Sequence, residues 1–160
     1  MVDKCEAAGK RNRSEKPTPR SPQHELVISL LRTGDAVEYR LAQLFREFEL
    51  TAAQHQVLTI LREADRPLPC LEIASRLITR VPAITSLVDK LEKQAWVERH
   101  RCDQDRRVWY VSLTAKGRRR LKQVDAPLEE LYRDLCAGLA KKDCQQLKKM
   151  LDVARNTMNA

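Results

Sequence analysis

The spacing of apolar residues predicts a chain made mostly of amphipathic helices. From Pro22 to Phe48, apolar side chains recur every three or four residues, which places them on one face of a long first helix. Thr51 can cap a second helix, and a third and a fourth follow, the fourth starting around Val81 and Pro82. The core-facing residues expected on these three helices are Val57, Leu58, Ile60, Leu61, Leu71, Ile73, Ala74, Leu77, Ile84, Leu87, Val88 and Leu91.

After the fourth helix the pattern changes to one that is typical of β-strands. Residues 96–101 and 107–113 are rich in β-branched and aromatic side chains, and the polar, charged segment between them predicts a hairpin. A helix capped by Thr114 and kinked at Pro127 follows, and Gly138 suits the left-handed residue that ends many helices. A last helix is expected to bury Leu147, Met150, Leu151, Ala154 and Met158.

This order of elements predicts a mainly α fold with a small β-hairpin wing. We assign a winged helix-turn-helix core to about residues 51–114, with N- and C-terminal dimerisation helices at about 22–48 and 115–158, all within one domain, 22–160. Residues 1–21 are basic and almost free of apolar side chains, so we expect a disordered arm. The arm either adds phosphate contacts or is a solvated tail.

Charge and composition narrow the class of function. The 160 residues include 30 Lys and Arg against 22 Asp and Glu, and the net charge of +8 favours a polyanionic partner such as nucleic acid. No apolar stretch is long enough to span a bilayer, and the N-terminus lacks the apolar region of a signal peptide. The five cysteines form no CxxC pair, which is typical of reduced thiols. We therefore expect a cytoplasmic protein without a membrane partner.

The run from Leu71 to Gly117 resembles the DNA-binding core of the MarR family of transcription regulators. The matching pieces are LVDKLE in the recognition helix, WVER before the wing, DQDRR at its tip and VSLTAKG after it, with LTAAQHQVL and VDAPLEEL further away. The resemblance implies a homodimer on a near-palindromic double-stranded operator, with the recognition helix in the major groove and the wing at a minor groove. It also implies a repressor that releases DNA when a small, often aromatic, ligand or an oxidant arrives.

The fourth helix and the wing carry the expected DNA contacts. Arg80 is the best candidate for reading a guanine, because a guanidinium can pair with its edge through two hydrogen bonds. The resemblance matches Arg106 and Arg107 to the family's wing-tip arginines, with Asp103 or Asp105 bracing the turn. The complete expected set is Thr79, Arg80, Pro82, Ala83, Thr85, Ser86, Lys90, Arg101, Arg106 and Arg107.

Other basic residues surround these positions. Arg99, His100 and Arg101 cluster beside the wing turn, and this density of basic side chains favours DNA over a protein or RNA partner. A second run either touches phosphates or solvates the following helix; it consists of Lys116, Arg118, Arg119, Arg120 and Lys122.

Two candidate sensing sites follow, one from the resemblance and one from the residues around a cysteine. Family analogy makes Val37, Tyr39, Arg46 and His55 candidates for a ligand pocket. Among the thiols we single out Cys102 in the wing, because neighbouring arginines lower the pKa of a cysteine. The other four are expected to be inert: Cys5 in the arm, and Cys70, Cys136 and Cys144 as small core or helix residues.

No metal, cofactor or enzyme is predicted. His24, His55 and His100 are far apart in sequence, and the chain has no nucleophile-elbow, P-loop, zinc-protease or dinucleotide motif. Two alternatives to a ligand-released repressor stay open: a thiol- or oxidant-sensing regulator of the same fold, and a winged-helix module that binds a protein instead of an operator. Salt-sensitive binding to duplex DNA separates the last from the other two.

Overall fold

The computed structural model describes residues 21–78, 83–101 and 108–158. These residues form helices and short strands in the order α1 (Pro22–Glu47), α2 (Ala52–Ala64), β1 (Leu68–Pro69), α3 (Cys70–Arg76), α4 (Ile84–Lys93), β2 (Val97–Arg101), β3 (Trp109–Leu113), α5 (Ala115–Leu135) and α6 (Lys141–Met158). The mainly helical fold with a small antiparallel sheet confirms the predicted fold class.

The chain divides into two compact units, Met1–Asp35 and Ala36–Ala160. In the first unit, residues 22–35 form the beginning of α1, and three of their apolar side chains, Leu26, Val27 and Leu31, are exposed.

In the second unit, one apolar core joins the helices to the sheet. The inward faces predicted for α2 and α4 are confirmed, since Val57 and Leu58 on α2 and Val88 and Leu91 on α4 are completely buried. The other completely buried side chains of the described residues come from α2, the sheet, α3 and α5: Leu61, Leu68, Ile73, Val97, Val111, Leu121 and Val124.

Side-chain caps begin α2 and α5, as predicted. The Gln54 amide donates to the Thr51 hydroxyl at 3.2 Å and the Thr51 amide donates to the Gln54 side-chain oxygen at 2.9 Å, a reciprocal capping box. The Gly117 amide donates to the Thr114 hydroxyl at 3.0 Å at the start of α5. These contacts satisfy amides that have no partner inside their own helix.

The sheet has three antiparallel strands in the order β1-β3-β2. The predicted hairpin is β2 paired with β3, in a register that sets Val97 opposite Leu113 and Arg101 opposite Trp109. On the other side of β3, Leu68 of β1 lies opposite Val111. The sequence did not predict β1, because a strand of two residues, one of them a proline, carries no periodicity.

Two expectations about α3 and α4 are wrong. α4 begins at Ile84 and not around Val81–Pro82, because Ala83 has a non-helical φ of −144° and ψ of 83°. Leu71 is 83% exposed instead of buried. On the short helix α3, Leu71 lies two residues from the buried Ile73, which places the two side chains on opposite faces.

Two expectations about the C-terminal helices are also wrong. Gly138 has no positive φ. α5 ends at Leu135, and the amide of its C-cap residue, Cys136, donates to the carbonyls of Tyr132 and Arg133 at 3.2 Å. No residue of α6 is buried. The apolar residues expected inside are exposed, as Leu147, Met150 and Met158 are, or half-buried, as Leu151 and Ala154 are.

Candidate nucleic-acid interface

α4 presents a polar face to solvent beside the core. Ile84 and Leu87 pack against the core, while Thr85, Ser86 and Lys90 are exposed. Ala83, the residue before the helix, is exposed as well. The structure therefore brings Ala83, Thr85, Ser86 and Lys90 together on one surface. Thr79, Arg80 and Pro82 lie outside the described residues.

The described part of the hairpin carries an exposed arginine, Arg101, in addition to Lys90 on α4. The Arg101 guanidinium lies 4.8 Å from the centre of the Trp109 ring across the strand pair, a cation–π contact. His100 and Tyr110 stack next to it, with ring centres 6.0 Å apart. Arg101 is exposed, so its charge remains available to a ligand. The predicted tip residues Asp103, Asp105, Arg106 and Arg107, and Cys102, lie outside the described residues.

Arg99 points back toward α4 instead of outward. Its side chain is only 18% exposed, and its guanidinium is paired with Asp89 and lies 3.5 Å from the Glu92 carboxylate. The same guanidinium donates to the Thr85 carbonyl at 3.1 Å, and the Arg99 amide donates to Glu92 at 3.2 Å. Arg99 therefore joins β2 to α4, and the exposed basic cluster is smaller than the sequence predicted.

The basic run at the start of α5 is partly committed to contacts within the chain. Lys116 donates to the Gln94 carbonyl at 2.9 Å, and Arg118 is paired with Asp65 at 2.9 Å. Arg120 lies 5.2 Å from the centre of the Trp96 ring and 3.5 Å from the Glu49 carboxylate; Arg119 and Lys122 are simply exposed. Three members of the run thus hold α5 against its neighbours.

A cavity of about 300 Å³ lies beside α2. Its apolar and aromatic wall includes Leu41, Phe45, Ile60, Ile78 and Tyr132, and its polar lining includes His55, Gln56, Thr59, Glu63 and Arg76. His55 Nε2 and the Thr59 hydroxyl are buried without a hydrogen-bond partner among the described residues. A buried polar atom without a partner costs free energy, so a ligand that supplied a hydrogen bond to His55 or Thr59 would be favoured there.

The imidazole of His55 is held in its neutral form. Burial lowers its pKa, the nearby Arg62 charge lowers it further, and Asp125 opposes both. The ring stacks on Phe45 with 4.5 Å between ring centres, so it cannot easily turn toward water. A neutral imidazole can donate one hydrogen bond and accept another.

Of the four residues predicted for a pocket, only His55 lines this cavity. Val37, Tyr39 and Arg46 are absent from its lining, and Tyr39 is 62% exposed, with its hydroxyl accepting from Gln43 at 2.9 Å. Sequence reasoning missed Thr59 and Tyr132. The signal for Thr59 was its spacing of four residues from His55, which places the two side chains on the same face of α2. The sequence carried no signal for Tyr132.

Metal-binding groups and membrane-spanning helices are two further kinds of feature to consider in the described residues. Within the described ranges, no three His, Cys, Asp or Glu side chains are grouped to hold a metal ion. None of the described helices is long and apolar enough to cross a membrane. Cys70 is half-buried, and burial raises the pKa of its thiol.

Comparison with known proteins gives one consistent result. The sequence model of the MarR family matches residues 50–109. The homoprotocatechuate degradative operon repressor of Escherichia coli is 27% identical over 127 residues, covering 79% of this chain and 85% of that protein.

Solved structures agree with the sequence relatives. A MarR transcription factor from Planctomyces limnophilus is 30% identical, with a TM-score of 0.67 over 85% of this chain and 99% of its own. A MarR variant from Escherichia coli complexed with operator DNA is 24% identical, with a TM-score of 0.74 over 81% of this chain and 93% of its own.

Proposed function

The chain belongs to the MarR family of DNA-binding transcription regulators, and on this premise we propose that it is a homodimeric repressor released from its operator by a small molecule. Its relatives are regulators and not enzymes, in agreement with the sequence-based prediction. A repressor acts on chromosomal DNA, and the reduced-thiol pattern of the cysteines fits a cytoplasmic location.

The observation that carries the proposal is the exposed face of α4. A helix with one face in the core and small polar residues on the other fits into a major groove without steric conflict. Thr85 and Ser86 can donate to base edges or phosphates, and Lys90 supplies charge for a phosphate. Arg80 and Ala83, with Thr79 and Pro82, complete the surface that the sequence assigns to base readout.

The wing adds a minor-groove contact next to that helix. Arg101 supports it with an exposed charge, and Arg106 or Arg107 enters the groove, where the negative potential is concentrated. The Arg99 pairing with Asp89 and Glu92 fixes the strand that leads to the wing against the recognition helix. The recognition helix and the wing therefore bind DNA together, because Arg99 joins β2 to α4.

A second copy of the chain covers the apolar face of α6. Leu147, Met150 and Val153 are exposed there, and an exposed apolar stripe of this kind is typical of a protein–protein interface. A two-fold symmetric dimer would bury the stripe and present two recognition helices to a near-palindromic operator.

The cavity beside α2 is the effector site in this proposal. Its walls fit a small aromatic molecule, and His55 Nε2 and the Thr59 hydroxyl can hydrogen-bond a polar substituent on it. The cavity also touches the helix-turn-helix, because the Ile78 amide donates to the Gln56 side chain at 3.1 Å just before the segment that leads to α4. A ligand that displaces Gln56 changes the position of the recognition helix.

The DNA-binding part is tested by selecting genomic fragments with the protein and footprinting the preferred one. We expect protection of an inverted repeat by a dimer. Ser86→Glu should weaken binding by about tenfold or more, because its carboxylate faces phosphates, while Gln145→Glu on α6 should not. Fragment binding no better than to random duplex would instead favour the protein-interaction module.

The effector part is tested by screening small aromatic acids and phenols for release of that fragment. For a compound that releases DNA, Thr59→Val should lower its affinity about fivefold, since one hydrogen bond is lost at constant volume. Tyr39→Phe, outside the cavity, is the matched control. If both variants lost ligand affinity equally, or if neither lost any, the cavity would not be the effector site.

A further inference from the structure

Two cysteines meet where α5 gives way to α6. Cys136 is the residue that ends α5 and is exposed, and Cys144 lies in the first turn of α6 and is half-buried. Both line the same groove of about 200 Å³, together with Leu139 and Leu147. The sequence prediction treated these thiols as separate inert residues, and their shared groove is the new observation.

The two thiols share one groove, and Cys136 lies close enough to Cys144 to affect its ionisation. Burial raises the pKa of the Cys144 thiol, and the adjacent Cys136 thiol and the Asp143 carboxylate raise it further. Cys144 therefore stays protonated at neutral pH and is a poor first target for an oxidant. Cys136 is the thiol that a solvent-borne oxidant meets first, because it is the exposed one.

The turn between the two helices holds the pair together. The Leu139 amide donates to the Cys136 carbonyl at 2.9 Å, and the Cys144 amide donates to the Ala140 carbonyl at 3.1 Å. These bonds fix the short connection at both ends, so the thiols do not have to find each other through a flexible loop.

We propose that Cys136 and Cys144 form a redox-active dithiol that a peroxide converts into an intrachain disulfide. The Cys136 sulfur attacks the peroxide, the O–O bond breaks, and Cys136 becomes a sulfenic acid while one water or alcohol leaves. The Cys144 sulfur then attacks Cys136, its proton goes to the departing hydroxide, and a second water leaves as the S–S bond forms. Two thiols are oxidised and one peroxide is reduced.

This site is distinct from the thiol sensor considered at the wing. It lies where α5 is followed by α6, and it pairs two cysteines of the same chain. The pairing is also testable independently of the proposed operator and effector.

The experiment uses the full-length protein with Cys5, Cys70 and Cys102 changed to Ser, so that only the pair remains. After treatment with one equivalent of hydrogen peroxide, we expect two thiols per chain to disappear. Peptide mapping without reductant should show Cys136 joined to Cys144 within a single chain, and dithiothreitol should restore both thiols.

Two further variants separate the roles of the thiols. Adding Cys144→Ser should leave a sulfenic acid at Cys136 that dimedone traps. Adding Cys136→Ser should leave a Cys144 thiol that reacts with peroxide several-fold more slowly than Cys136 does in the Cys144→Ser variant, because Cys144 is half-buried and Cys136 is exposed. A disulfide between copies, overoxidation of Cys136 without a disulfide, or equal reactivity of the two single thiols would overturn the proposal.

Discussion

At the residue scale, the structure assigns Arg99 a different role from the one that the sequence predicted. The sequence placed it in a DNA-facing basic cluster, but Arg99 shares a face of β2 with the buried Val97, two residues away. The period of two that predicted the strand also predicts this inward direction. What the sequence could not supply is that Asp89 and Glu92 of α4 are the groups it meets.

Removing the Arg99 guanidinium should therefore loosen the join between wing and recognition helix. We expect Arg99→Met to lower the free energy of unfolding by about 1 kcal/mol, since its ion pairs are partly exposed but its hydrogen bond to Thr85 is lost. Chemical denaturation measures this, with the exposed Arg119→Met as the control. An unchanged midpoint for Arg99→Met would contradict the bridging role.

His55 gives the folded protein a pH dependence of known sign. Its pKa is lowered from 6.5 in the folded state, so below about pH 6.5 the unfolded chain takes up a proton that the folded chain does not. Stability should fall as pH drops through this window, and His55→Gln should remove that part of the fall. Denaturation curves at pH 7.5 and pH 5.5 measure the free energy of unfolding of both proteins. If it falls equally in wild type and His55→Gln, His55 is not held in its neutral form.

At the element scale, what could be predicted was what local chemistry decides. Thr51 and Thr114 cap their helices because a hydroxyl beside free amides needs no distant partner. The predicted start of α4 was wrong because the backbone of Ala83 is not helical, and the predicted burial of Leu71 was wrong because it depends on how a short helix is rotated against the core. Only one of the four residues predicted for the pocket lines the cavity, because the walls of the cavity come from elements that are far apart in sequence.

Gly117 lets α5 lie close against the backbone of Trp96, the residue before β2. A Cβ at this position would lie 2.2 Å from the Trp96 carbonyl oxygen, which is backbone and cannot move away cheaply. Gly117→Ala should lower the free energy of unfolding by about 2 kcal/mol or more. Gly34→Ala, where nothing lies within 4 Å, should be neutral or raise it by up to about 1 kcal/mol, because alanine favours helix. Thermal unfolding of both variants decides whether Gly117 is needed for close packing.

At the scale of the whole molecule, the exposed apolar face of α6 has no explanation within a single chain. The sequence predicted a buried stripe from its period, and the stripe exists but is exposed. Periodicity identifies an apolar helix face, but it does not indicate whether that face packs against the same chain or against another.

Placing a charge on this stripe should break the dimer without unfolding the chain. Met150 is 62% exposed, so Met150→Glu has little effect on a monomer but buries an unpaired carboxylate in a dimer. Sedimentation velocity should show a shift from dimer to monomer for Met150→Glu and none for Gln145→Glu. A wild-type protein that sediments as a monomer at micromolar concentration would contradict the dimer.

The central claim, specific recognition of operator DNA by helix and wing, is tested most directly by one titration. Wild type and the Arg106→Ala/Arg107→Ala variant are titrated onto the selected fragment and onto a scrambled duplex over a series of salt concentrations. We predict tighter binding of the fragment by wild type, an affinity that falls with salt, and for the variant a weaker affinity with a salt slope reduced by about one to two. Wild-type protein that binds the two duplexes equally at every salt concentration would contradict the claim.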